Sequence, residues 1–120
     1  HNWDLRKTPD LIVEESTISL IPGGLPRYWR AMEEFGSALL SLPRRDLLAT
    51  WQAVTGRLHV VVSYGGFCSM ADGDAFRAAA QQNDAKIEFD NAVHDIVIDN
   101  DSNLLRLVRV SEMSPMFMFD

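Results

Sequence analysis

The feature that most constrains this chain is the segment Arg57 to Tyr64, where Leu58, Val60, Val61 and Val62 leave almost no alternation of apolar and polar residues. A strand with one wet face alternates with a period of two, so a run of this kind reads as a central strand covered on both faces. Gly65-Gly66 is read as its end. Such a strand needs neighbours beside it and a layer above it, and the rest of the chain is read as supplying both.

Pro26 opens a helix, since proline fits a first turn where its missing N–H is not needed. Trp29, Met32, Phe35 or Gly36, Leu39 and Leu40 then recur at helical steps, opposite Arg30, Glu33, Glu34 and Ser37. Pro43 ends it. Leu47, Leu48, Trp51 and Val54 form a second stripe, read as a helix from Arg44 to about Thr55 and stopped by Gly56, so that the two make a helical hairpin. Asp72 is the expected N-cap of a third helix reaching Gln82. Before the hairpin, Leu11 to Ile21 reads as one or two short strands, closed by Pro22-Gly23-Gly24.

From Ala85 the period becomes two. Ile87 and Phe89 alternate with Lys86, Glu88 and Asp90; Ile96 and Ile98 follow in the same manner. Asp99-Asn100-Asp101-Ser102-Asn103 reads as a turn, and Leu104 to Val110 as a returning strand. The expected fold class is therefore α+β: a helical hairpin plus one further helix packed on a mainly antiparallel sheet of about four to five strands. A length of 120 residues suits a single domain, 1–120, with 1–10 as a lead-in and 113–120 as an apolar tail.

Seventeen acidic side chains face eleven basic ones, a net charge of -6. An acidic domain repels phosphate, which argues against nucleic acid and anionic membrane as partners. No apolar run approaches the ~20 residues needed to cross a bilayer. The acidity is uneven: charges balance before Leu58, whereas Asp72, Asp74, Asp84, Glu88, Asp90, Asp95, Asp99, Asp101, Glu112 and Asp120 afterwards face Arg77, Lys86, Arg106 and Arg109. Glu88, Asp90, Asp95, Asp99 and Asp101 fall on or beside the expected strands and are the candidate binding surface. Small size and a one-sided charge suggest a protein-binding module that neutralises or escorts a basic partner, such as a toxin or nuclease, in the manner of an immunity protein or antitoxin.

Two alternatives come from different residues. Cys68 follows the Gly65-Gly66 break and precedes a helix, the outline of a nucleophile turn, with His59 or His94 as the available base. The resulting expectation is a small cysteine-dependent enzyme or redox sensor. No spacing completes a catalytic signature, and the balance is against an enzyme. The third reading is an assembly subunit, homo-oligomeric through Met113 to Phe119. No metal site and no cofactor are expected, because Cys68, His59 and His94 lack ligand spacing and neither glycine pair forms a phosphate loop. One unpaired cysteine suits a reducing, cytoplasmic compartment.

Overall fold

The computed structural model describes residues 10–56, 58–108 and 112. Along the chain come β1 (Ile12–Leu20), α1 (Leu25–Leu40), β2 (Asp46–Gln52), β3 (Val60–Phe67), α2 (Met70–Gln81), α3 (Asp84–Val93) and β4 (Val97–Arg106). The strands form one antiparallel sheet in the order β2-β3-β1-β4. Three helices cover one face of it, so the α+β class is as the sequence implies. The expected lead-in and the apolar tail Met113 to Phe119 lie outside the described residues.

Central β3 occupies the inner position its valines require, between β1 and β2. It does not stop at the glycines: Gly65 and Gly66 pair with Glu14 and Val13, and Phe67 closes the ladder against Ile12. Between β1 and α1 the chain turns at Ile21–Gly24, with Gly24 N–H donating to the Ile21 carbonyl at 3.0 Å. Pro22 and Gly23 hold the two middle positions, and the φ of 81° at Gly23 is what a type II turn demands there.

Two elements differ in kind from the sequence reading. Residues 46–52 form strand β2, not the second helix of a hairpin. A bulge between Leu47 and Ala49 breaks the period of two. Leu48 and Trp51, three apart, consequently line the same side of the sheet, which is the spacing that imitates a helix. Conversely, Asp84–Val93 is helix α3, where alternation suggested a strand. Asn83 caps it by accepting from the Lys86 N–H at 3.1 Å, and Phe89 and Val93, four apart, are its buried residues. The helices that pack most extensively on one another are thus α1 and α3, far apart in the chain. Ser69 rather than Asp72 caps α2, accepting from the Asp72 N–H at 3.2 Å. Asp99 to Asn103 is no turn; it is the middle of β4, paired with Ser19 to Glu15.

The core gathers Leu20 and Val61 from the sheet with Tyr28 and Ala31 of α1, Phe89 and Val93 of α3, and Ile96. Tyr28 and Phe89 meet edge to face at 5.6 Å, tying α1 to α3. At the other end Phe67, 0% exposed, lies 5.6 Å from Phe76 of α2. Phe67→Ala is expected to cost about 3–5 kcal/mol of unfolding free energy. Val54→Ala, at a side chain 83% exposed, should cost less than about 0.5 kcal/mol. Equal shifts of the two urea midpoints would contradict this placing of the core.

Candidate functional site: a cleft between sheet and helices

Register decides which residues look toward the helices. On β1 these are Ile12, Glu14, Ser16, Ile18 and Leu20; their partners on β3 are Phe67, Gly65, Ser63 and Val61. From the Leu20 end inward the positions are apolar, as a core requires. Toward the middle they become Ser16, Ser63, Glu14 and Gly65, and β2 adds Thr50 beside Ser63, with the two hydroxyls 3.3 Å apart. Polar and small residues thus stand where a sheet normally buries aliphatic ones. Above them the helices leave a cleft of about 200 Å³, walled by Tyr28, Met32, Leu39, Phe76, Lys86 and Phe89.

Arg45 enters this cleft from the segment between α1 and β2, where Arg44 turns the chain with a φ of 76°. Its guanidinium lies against Gly65: a Cβ there would collide with Nε and sit 2.6 Å from Cζ. Glycine at 65 is therefore a requirement of the arginine rather than of the strand. The guanidinium carbon is 5.4 Å from the centre of the Phe76 ring. Arg45 Nε is buried without a hydrogen-bond partner, and no ion pair joins Arg45 to another described residue. Burial pulls the Arg45 pKa below the usual guanidinium value, while Glu14 and Tyr28 push it back up. The Glu14 carboxylate is itself engaged by Arg77 at 3.7 Å, and Arg77 is shared with Asp74 at 2.7 Å. Lys86 is engaged by Asp90 at 2.7 Å.

The residues singled out in the sequence do not assemble. Cys68 follows the end of β3 that pairs with Ile12, whereas His59 precedes the other end, so the two are about 30 Å apart along an extended strand. His94 ends α3 just before β4, whose start pairs with Leu20, again the far end of the sheet. The Cys68 thiol is moreover raised in pKa by burial and by the charges of Asp72 and Asp46, which disfavours a thiolate. Neither histidine serves it as a base. The five carboxylates are spread over three places. Glu88 and Asp90 lie on α3; Asp95, after it, is held by both Arg27 nitrogens at 2.8 and 2.9 Å; Asp99 and Asp101 lie on β4. They do not make one acidic surface.

No protein-family model matches the chain, and no curated protein does. Solved structures do. A NIPSNAP-like domain protein from Burkholderia xenovorans superposes with a TM-score of 0.75 at 21% identity, covering 82% of this chain and 86% of that one. A NIPSNAP family protein from Agrobacterium tumefaciens gives 0.75 at 19%, covering 91% and 92%. A putative antibiotic biosynthesis monooxygenase from Nitrosomonas europaea gives 0.65 at 11%, covering 82% and 91%. The fold is ferredoxin-like. At these identities the likeness is one of fold. It overturns the inhibitor reading all the same: the neighbours of this ferredoxin-like chain are NIPSNAP-like and monooxygenase-like proteins, not immunity proteins or antitoxins. None of the described helices is long and apolar enough to cross a membrane.

Sequence reasoning missed Arg45, Glu14, Ser16, Ser63 and Gly65 as members of one site. One signal was present, since Ser63 and Gly65 interrupt an otherwise apolar strand.

Tyr28 offers a direct check on the dryness of the cleft's inner wall. Burial pushes its phenol up to about 12; Arg45 pulls the other way, and Asp90 adds to the rise. An unfolded chain releases that proton near 10.0. Between the two values the folded state holds a proton the unfolded state has lost, so this contribution to stability declines as pH rises. From about pH 9 to about pH 11 the protein should lose on the order of 1 kcal/mol more unfolding free energy than Tyr28→Phe. Parallel urea-unfolding series for the two would show that the phenol is not shifted.

Proposed function

We propose that this chain is a small-molecule-binding domain whose ligand occupies the cleft between the sheet and the helices. The observation that carries the reading is the polar patch of Glu14, Ser16, Ser63 and Thr50 on the helix-covered face of the sheet, beneath the apolar wall of Met32, Leu39 and Phe89. A mixed lining of this kind is the usual make-up of a ligand site: apolar walls supply contact, and a few polar groups set orientation. Two structural neighbours are described as putative antibiotic biosynthesis monooxygenases, and the reading is compatible with those descriptions. A cytoplasmic setting, suggested by the lone Cys68, belongs to the same proposal.

Replacing Ser16 by valine separates binding from folding. Valine suits a strand and adds apolar contact, so Ser16→Val should raise the unfolding free energy by up to about 1 kcal/mol. The same change narrows the cleft and should abolish binding of a fragment set of neutral and acidic ring compounds. Binding is followed by NMR through the amides of Ser63, Phe76 and Phe89. Fragments that bind the parent and shift amides elsewhere, or bind the variant equally, would refute the cleft.

A second reading concerns the face of the sheet opposite the described helices. There Val13, Leu48, Ala49, Trp51, Tyr64 and Leu105 line an open apolar trough of about 450 Å³, with Trp51 62% exposed. The sequence reading placed self-association at Met113 to Phe119, outside the described residues; here it is proposed to occur through this trough with a second copy. A second copy supplies an equally flat apolar sheet, and sheets pack face to face. Asp99 and Asp101 lie toward the opposite end of β4 from Leu105, away from the apolar end. Sedimentation equilibrium should give a dimer for the parent chain and a monomer for Trp51→Asp; a monomeric parent would refute it.

A further inference from the structure

We infer that the occupant of the cleft is an organic monoanion, its carboxylate-like head on Arg45 and its apolar body against Met32, Leu39 and Phe89; this rests on the ligand cleft proposed above. The argument begins with charge. A guanidinium cannot shed its proton at any ordinary pH, so burying one without a partner is costly. The other cations at the cleft are committed, Arg77 to Glu14 and Asp74, and Lys86 to Asp90. Arg45 has no such partner among the described residues, and its Nε is orphaned. Yet the fold provides for this side chain, with Gly65 left bare beneath it and the Phe76 ring beside it. A position shaped to hold a cation that Glu14 offsets only through space, with no direct ion pair among the described residues, is shaped for an anion that arrives from outside.

The class of anion follows from the surroundings. The planar fork of an arginine matches the two coplanar oxygens of a carboxylate. Glu14, close enough for its charge to act on Arg45, disfavours a second negative charge, as does a net charge of -6 over the whole chain. The cleft volume of about 200 Å³ falls below the ~300–1,000 Å³ of sites for drug-sized ligands, which leaves no room for a nucleotide. The apolar wall calls for a ring or a branched aliphatic body.

The test compares matched pairs by NMR titration: benzoate against benzamide, and cyclohexanecarboxylate against its amide, with phenyl phosphate as the dianion. The parent should bind each acid at least about tenfold more tightly than its amide, and benzoate more tightly than phenyl phosphate. Arg45→Met, confirmed folded by urea unfolding at parental stability or above, should bind acid and amide alike. Gly65→Ala, which displaces the guanidinium while keeping its charge in the chain, should weaken the acids by a similar factor. Equal affinity of acid and amide in the parent, an acid preference that survives Arg45→Met, or tighter binding of phenyl phosphate would each overturn the inference. If amides still shift Ser63 and Phe76 in those cases, the cleft stands and only the anion is lost. If acids bind while shifting residues outside the cleft, both readings fall.

Discussion

Strand β1 hydrogen-bonds along both edges, to β3 on one side and β4 on the other, and the rest of the molecule hangs on that double pairing. Its partners lie far along the chain: Ile12 meets Phe67 and Arg106 at the same level of the sheet. The first of the described strands is therefore completed by the last of them, a non-local closure across the intervening β2, β3 and helices. Once the register is set, every side chain of β1 is assigned to a face, and a slip of one residue would reverse them all. Glu14 and Ser16 face the helices for this reason, with Gly65 and Ser63 beside them.

The interior so formed has two parts of different character. Around Leu20, Val61, Phe89 and Ile96 it is a close-packed apolar core. Around Ser16, Ser63 and Arg45 it is polar, recessed and incompletely satisfied. A chain selected for stability alone would extend the first kind of packing through the second. Departure from local rules at one connected place, amid consistency elsewhere, is the mark of a site rather than of a poorly made core.

Much of the architecture was legible. Val60 to Val62 announced a central strand, Pro26 and the stripe from Trp29 to Leu40 announced α1, and the third helix expected from Asp72 to Gln82 corresponds to α2. Two elements were not, and in both the local pattern pointed to the other class. At β2 the bulge at Leu48 placed Leu48 and Trp51 on one side with helical spacing. At α3 the alternation of Ile87 and Phe89 was incidental: Phe89 is buried in the core and Ile87 stays 45% exposed. The site was less legible than the fold. Gly65-Gly66 drew attention as the end of a strand, whereas the bare backbone at Gly65 is there for Arg45, which no spacing connects to it.

The sequence by itself determined the class of the fold and its solubility-bearing charge, because hydrophobic period and composition act locally and need no partner to be read. It determined as well that the polar residues of β1 and β3 exist, though not what they face. Tertiary structure decided which way each strand turned its side chains and which helix covered them. It also decided which charges found partners. The acidic residues of the second half went to separate surfaces, four of them paired, to Arg27, Arg44, Arg77 and Lys86, while Arg45 was drawn inward with no ion-pair partner among the described residues. The physical reason is that register and long-range pairing, absent from any local window, determine whether a charge is solvated, neutralised or buried.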